Sequence, residues 1–472
     1  MGDLLSSDYS VWPTLTLLIG AVAWVAGTGM RRGSVLSPYS LMLFILVSIF
    51  GIRPLLMRDE PESFGFYGYN ISTGFADATF LGFIGTMSFI AGAIFWRAVR
   101  APKVTVKAAE SQPLPSWAPR RAAVIAWALS AAWLVIMVIV GGSAGYLAQL
   151  FGGRSQDVVS KLENIPAFVG ALPAVGCLVI AAVRFRYERN HLYTRAQNLG
   201  YWLVALASIV PPSALGTRRY LIPCLVIAVM GALVNNWGKR LKVSWVALGV
   251  AGFLALAIVP FVRSAGSRTA RGETDLIGSM VSYFQDEGLR GTLNNFFLSY
   301  DTEMFNYVAY LSQAMGDSIP FGWGRGIVGD IVSMPLPASM APFPRWSDYL
   351  LSQSFGTGCE YKAVCPVPSV VGILFSDLAI PGLFVGMILL GVAAAKFERA
   401  ILASGGAATA GLLLAAGFAV AFARGNSLAQ AWIAVQCFVI WWMLDKLFLR
   451  ERVNAEKRAA NVSPLPARLH QG

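Results

Sequence analysis

The chain has 472 residues, of which 56% are hydrophobic and 13% charged, with a formal net charge of +12. A soluble domain carries about 25% charged residues, so this composition excludes a disordered chain, a collagen-like chain and an ordinary cytosolic enzyme. The length suits ten or so membrane helices of about 20 residues each, and the apolar residues do fall in long runs between short charged loops.

In chain order the apolar runs are Val11–Gly27, Pro38–Ile52, Phe75–Phe95, Ala122–Val140, Ile165–Val183, Leu199–Val210, Tyr220–Val234, Val243–Val262, Val370–Ala395, Ala407–Phe422 and Leu428–Leu444. The expected fold is an all-α polytopic membrane protein of about 11 transmembrane helices, with one large extracytoplasmic loop containing amphipathic helices. The first ten residues, MGDLLSSDYS, lack the basic stretch of a cleavable signal, so the first run reads as a retained span. Arg31 and Arg32 follow it. Alternation from there puts the N-terminus outside and the C-terminus in the cytoplasm. The inside loops then hold 23 Lys+Arg against 6 Asp+Glu, and the outside holds 14 against 19. The reverse orientation violates the positive-inside bias. Because the basic residues sit in loops and not along one soluble face, nucleic acid is not an expected partner. The chain divides into residues 1–262 with helices 1 to 8, a cap loop at 263–366, residues 367–449 with helices 9 to 11, and a basic cytoplasmic tail at 450–472.

The cap runs for 104 residues, from Arg263 to Pro366, too long for a plain loop. Leu293, Phe296, Phe297, Tyr300, Met304, Val308 and Leu311 recur in it at helical spacing, which predicts an amphipathic helix lying on the membrane or on the bundle. The stretch from Pro320 to Pro344 is rich in Gly and Pro and reads as irregular. Gly324, Gly326 and Gly329 form G-x-G-x-x-G, but they follow no strand, so a dinucleotide site is not expected. Cys359 and Cys365 are separated by five residues in the cap. In an oxidising compartment such a pair closes a small disulfide loop, against the alternative of two free thiols. His191 and His470 both fall on the inner side, which argues against a zinc site and an outward serine–histidine pair. No Walker motif is present, and neither a metal nor a cofactor is expected.

Ionisable residues at membrane depth are the sharper signal. The sixth and seventh runs have 12 and 15 residues, short of a hydrocarbon core of about 30 Å. Between them lies PPSALGTRRY, where Pro211 and Pro212 are expected to break the helix. A hairpin tip stopping below the surface would hold Arg218 and Arg219 in an outward cavity. The bland alternative is a tilted hairpin whose arginines snorkel to headgroups. Arg263, Arg268, Arg271 and Arg424 gather on the same outer side, where 12 arginines face 2 lysines. A guanidinium fork suits bidentate phosphate recognition, so these six arginines are candidate pyrophosphate ligands. Asp77 and Asp377 lie near the outer ends of the third and ninth spans as supporting acids, expected to pair with the arginines, and Pro381 is expected to kink the ninth. Asp301 and Glu303 are the candidate catalytic acids, because glycosyl transfer needs a carboxylate to take a proton from the acceptor hydroxyl. Solvated acids on a helix face are the alternative.

With this architecture in place, G-T-R at Gly216–Arg218, F-N-Y at Phe305–Tyr307, F-G-W-G at Phe321–Gly324 and F-P-R-W at Phe343–Trp346 complete a likeness. The chain resembles the Wzy-type O-antigen or exopolysaccharide polymerases, GT-C-like integral membrane glycosyltransferases. The resemblance implies residence in the bacterial inner membrane and a metal-independent, inverting transfer. The donor and acceptor would be undecaprenyl-pyrophosphate-linked glycans. Membrane lipids, a chain-length regulator and a flippase would be partners. The related O-antigen ligases carry a histidine in the large outer loop, and this chain has none there. A transporter of lipid-linked or anionic solutes is the reading from another class, since interrupted helices and buried arginines fit it too. The cap supplies a direct check. Mass mapping without reductant is expected to find Cys359 joined to Cys365, and free thiols at both positions would refute the pairing.

Overall fold

The computed structural model describes residues 11–58, 60–99, 117–141, 167–187, 194–213, 218–234, 237–242, 302–336, 340–356, 366–400, 406–425 and 427–450, with short pieces between 285 and 298. It is a helical bundle. The helices are α1 (Val11–Thr28), α2 (Pro38–Met57), α3 (Phe75–Val99), α4 (Trp117–Gly141), α5 (Leu172–Tyr187), α6 (Arg195–Ser213), α7 (Arg218–Ala232), α8 (Met304–Ala314), α9 (Arg325–Ser333), α10 (Trp346–Phe355), α11 (Ser369–Ala400), α12 (Gly406–Arg424) and α13 (Ser427–Leu444). Seven of the described helices, α1 to α4 and α11 to α13, are long and apolar enough to cross a membrane. The protein is therefore a membrane-embedded all-α protein. Ten of the eleven apolar runs fall on helices; the run Val243–Val262 lies outside the described residues.

The helix bounds correct one expectation. The sixth run counts 12 apolar residues, yet α6 spans 19, starting at Arg195 and continuing through Pro211 and Pro212 to Ser213. At 1.5 Å per residue it reaches about 28 Å. Only α7, with 15 residues and Pro223 inside it, remains a short arm. The prolines sit in the last turn of α6, so the helix ends just after them instead of before.

The helices alternate in direction and so define two ends. At one end the loop after α1 meets the segment after α7. The Arg32 N–H donates to the Lys239 carbonyl at 3.1 Å, Gly33 N–H to Trp237 at 3.0 Å, and Leu241 N–H to Met30 at 2.8 Å. Arg97 pairs with Glu398 at 2.6 Å and Arg186 with Asp445 at 2.7 Å at this same end, tying α3 to α11 and α5 to the end of α13. The other end gathers the start of α3, the end of α2, the start of α11 and the end of α12. There a two-strand hairpin, β1 (Gly65–Phe66) and β2 (Tyr69–Asn70), turns through Tyr67 and Gly68, both at positive φ, as a tight hairpin turn requires.

Two cores divide the bundle. The first takes side chains from α2, α3, α8, α10, α11 and the hairpin, and the second from α4 to α7, α12 and α13. Helix α12 belongs to both, giving Ala419 and Ala423 to the first and Leu412 to Phe418 to the second. Lipid chains are as apolar as leucine, so helix association here rests on close packing. The tightest crossing is α3 against α11. A Cβ on Gly92 would lie 2.1 Å from the Ile388 carbonyl oxygen, and one on Gly391 would lie 2.0 Å from that of Phe89. No side chain fits between these backbones. Gly391→Val is therefore expected to cost more than the ~1–3 kcal/mol of an ordinary overpacked core, read as a lower thermal midpoint of the purified protein. Gly200→Ala, which meets nothing within 4 Å, should leave the midpoint unchanged; equal midpoints for both variants would contradict the close crossing.

Candidate functional site

The second end holds two polar centres. The first is built on Arg53. Helix α2 passes through a π-helical turn at Ser48–Ile52 and then presents Arg53, and such turns recur at functional sites. The side chain is buried. Its Nε donates to Asn306 Oδ1 at 3.0 Å, and its Nη1 to Thr302 Oγ1 at 2.8 Å and to the Phe297 carbonyl at 3.1 Å. Asn306 Nδ2 in turn donates to the Ser63 carbonyl at 3.0 Å. The F-N-Y stretch thus serves as the acceptor platform for a guanidinium inside the bundle. Glu303, at the start of α8, stands in the field of Arg53. Burial pushes its carboxyl up to about 7, and Arg53 pulls the other way. A carboxyl raised into that range can take up or release a proton near neutral pH.

Helix α8 also corrects the sequence reading. Its residues from Met304 to Leu311 are all buried, in the core shared with α2, α3 and α11. It is an inserted helix, not one lying on a surface. Phe66, Tyr307, Tyr310 and Phe355 stack beside it, with Phe66 and Tyr307 at 5.5 Å and Tyr310 and Phe355 at 5.8 Å.

The second centre is Asp377, in the first half of α11. Helix α11 is broken just after it: Ala379 has φ 56° and ψ −162°, and Pro381 follows. The kink expected from Pro381 is present. Asp377 is fully buried. Its Oδ1 accepts from the Gly324 N–H at 3.1 Å and the Gly326 N–H at 2.8 Å, and its Oδ2 accepts from the Ile327 N–H at 2.9 Å. The expectation that Asp377 pairs with an arginine gives way to three backbone amides, which supply a buried carboxylate with charge-assisted bonds. The G-x-G-x-x-G stretch is the strap that supplies them. A Cβ on Gly322 would lie 2.1 Å from Asp377 Oδ1, so only glycine lets the strap close over the acid. The F-P-R-W stretch joins from the far side. Trp346 Nε1 donates to Ser376 Oγ at 3.0 Å, and its backbone N–H donates to Asp330 Oδ1 at 2.7 Å. Burial pushes the Asp330 carboxyl up to about 6, against the pull of the Trp346 amide. Four of the five non-glycine residues at positive φ among the described residues, Tyr67, Trp323, Ser369 and Ala379, lie at this end. Such strain gathers where a structure holds a site in place.

The remaining sequence candidates fall as follows. Asp77 is exposed in the first turn of α3 and makes no ion pair with a described arginine side chain, and Arg263, Arg268 and Arg271, among the partners expected for it, lie outside the described residues. Arg424 is half-buried in the last turn of α12, at the same end as Arg53 and Asp377. Arg218 and Arg219 open α7 at that end too. Asp301, Arg263, Arg268, Arg271, Cys359 and Cys365 lie outside the described residues. Among the described residues no group of three or more His, Cys, Asp or Glu could hold a metal ion. Sequence reasoning missed Arg53 as a site residue. It follows the second run and precedes Pro54, so it reads as a flanking charge. The signal was the apolar Leu55, Leu56 and Met57 that resume after it. No family model, curated protein or solved structure matches this chain.

The Glu303 environment has a pH signature. A carboxyl raised in the folded state adds stability that is complete below its ordinary value of 4.5 and is lost as pH rises through about 7. Asp330 gives a similar slope between 3.8 and about 6. Glu303→Gln is therefore expected to flatten the fall in thermal midpoint between these limits, by up to about 3 kcal/mol before solvent screening. Identical pH profiles for the variant and the parent would contradict the assignment.

Proposed function

We propose that the chain polymerises undecaprenyl-pyrophosphate-linked oligosaccharide repeat units into O-antigen or exopolysaccharide, at the outer face of the bacterial inner membrane. The observation that carries this reading is convergence. F-N-Y lies at the buried Arg53, and F-G-W-G and F-P-R-W meet at the buried Asp377 and Asp330, so three separate stretches supply two polar centres at one end of a membrane bundle. Arg218 and Arg424 lie at that same end. The opposite end is the basic one, as the cytoplasmic side of a membrane protein should be. This orientation puts the N-terminus outside and the C-terminus inside.

In the proposed reaction the acceptor hydroxyl attacks the anomeric carbon of the donor, and the bond from that carbon to the pyrophosphate oxygen breaks. The pyrophosphate departs with the electron pair. Glu303 takes the hydroxyl proton, and the configuration inverts. Arg53 is committed to Asn306, Thr302 and Phe297, so it is a positioning residue for α8 and Glu303. Arg218, with Arg219, Arg263, Arg268, Arg271 and Arg424, would answer the charge that grows on the leaving diphosphate. Fixed cations in a low-dielectric site stabilise that charge more than they stabilise the ground state. Asp301 remains the alternative proton acceptor.

One observation favours a second reading. The break in α11 at Ala379 is of the kind that lines transporter sites. A transporter of lipid-linked solutes would need no proton acceptor, so Glu303→Gln discriminates: it abolishes polymer in the first reading and spares transport in the second. The first reading also predicts that Arg218→Ala and Arg218→Lys both lose on the order of 10²–10³ in polymer formation at normal protein abundance. Lys keeps the charge and loses the fork. Arg189, in a loop that the charge bias assigns to the inner side, is the tolerated control. Normal chain formation by Arg218→Ala would remove that arginine from the site.

A further inference from the structure

Helix α9 lies in the stretch that reads as irregular in sequence, and it is the amphipathic helix of the described cap. One face is tied down. Gly326, Gly329, Asp330 and Ser333 are buried, a Cβ on Gly326 would run into the Trp346 ring at 2.6 Å, and Asp377 holds the helix start. The other face is apolar and bare. Val328, Ile331 and Val332 are exposed on the helix, Trp323 precedes it with 74% of its surface exposed, and Met340 and Phe343 follow, Met340 at 67%. Arg325 and Arg345 are exposed on its borders.

The position of this face identifies what covers it. Helix α9 packs on α11 and α13 and starts where α11 breaks. A Cβ on Gly324 would lie 3.8 Å from the Leu378 side chain. Immediately past the break, α11 exposes Ile380, Phe384, Val385 and Leu389. These belong to a helix long and apolar enough to span a membrane, so that stripe is lipid-facing. The bare face of α9 therefore continues a lipid-exposed surface at its end. Its composition is that of the interface: Trp, Phe, Met and branched aliphatics, with arginines at the border whose stems lie on apolar surface and whose heads reach headgroups.

We propose that α9, with Trp323 before it and the Met340–Phe343 turn after it, is an interfacial anchor whose apolar face is buried in the acyl chains of the leaflet at this end of the bundle. The occupant is lipid. A depth of about 5–10 Å below the headgroups follows for such a helix. The assignment rests on the membrane fold alone and stands whichever reaction the polar centres carry out. It also fixes the membrane boundary at the level of Asp377, which places the buried carboxylate and its glycine strap just beneath the headgroups.

Two measurements on the full chain in lipid nanodiscs test this. The first is hydroxyl-radical footprinting of the unsubstituted protein. Tyr69 is at the same end and is 43% exposed, so it reports the aqueous rate. Trp323 and Met340 are expected to oxidise several-fold less than Tyr69 despite their greater exposure in the bare protein. Oxidation at or above the Tyr69 rate overturns the proposal. The second places an environment-sensitive fluorophore on Val328→Cys or Ile331→Cys, in a chain whose five native cysteines are replaced. Asp317→Cys, also exposed and at this end, is the aqueous comparator. The labels at 328 and 331 should be blue-shifted and quenched by lipids carrying a nitroxide just below the headgroup, and the label at 317 should not. Water-like emission at all three positions overturns the proposal. So does shielding without lipid quenching, accompanied by crosslinking of 328 or 331 to a second copy.

Discussion

Arg53 has 3% of its surface exposed, inside a bundle whose neighbouring spans are apolar. A guanidinium there must have both its charge and its N–H groups answered, because breaking one partner of a buried charge costs about 3–5 kcal/mol. The answer comes from 250 residues further along the chain. Asn306 is supplied by the first turn of α8, and Thr302 and the Phe297 carbonyl by the residues that precede it. That requirement pulls α8 out of the cap and into the core. Once inserted, α8 carries Phe305 against Phe50 and Phe75 and Tyr307 against Phe66. It also brings Glu303 to the protein interior. One buried cation thus bears on where a helix sits and which residues it packs on, while burial pushes the carboxyl of Glu303 up against the pull of that same cation.

Asp377 applies the same constraint with the sign reversed. A buried carboxylate needs donors, and the glycine strap supplies three amides that the start of α9 would otherwise leave unmet. The arrangement holds α9 over the break in α11, and from there the Trp346 indole reaches back to Ser376. Both centres border the first core, on which α8 and α11 pack. Each ties a described segment of the cap to a membrane helix, so α8, α9 and α10 pack with the first core.

Much of this was legible in sequence, and the remainder has identifiable physical reasons. Apolar runs marked ten helices, because lipid-facing and core positions are both apolar and leave long uninterrupted signals. Helix ends were less legible: α6 begins at Arg195, four residues before its apolar run, since a helix extends into the interface where polar residues suffice. Asp377 stood out as a charge at membrane depth, but its partners are backbone amides some 50 residues away, which no side-chain pattern reveals. Of the periodic residues from Leu293 to Leu311, only Met304, Val308 and Leu311 fall on α8, and that helix is buried on every side instead of presenting a polar face, because Arg53 answers Asn306 inside the core. In the opposite sense, the glycines and prolines around α9 concealed a helix with a sharply two-sided burial pattern.

Arg53 and the α8 segment are held to be energetically one unit. A double-mutant cycle in thermal stability, using Arg53→Met, Asn306→Leu and the double variant in nanodiscs, tests it directly. Removing either partner leaves the other short of one hydrogen bond inside the core, whereas removing both takes away that donor and that acceptor together. The account predicts that the double variant is more stable than the sum of the single losses allows, by about 1 kcal/mol or more. Additive losses would contradict it, and would mean that α8 is held in the bundle by its apolar packing alone.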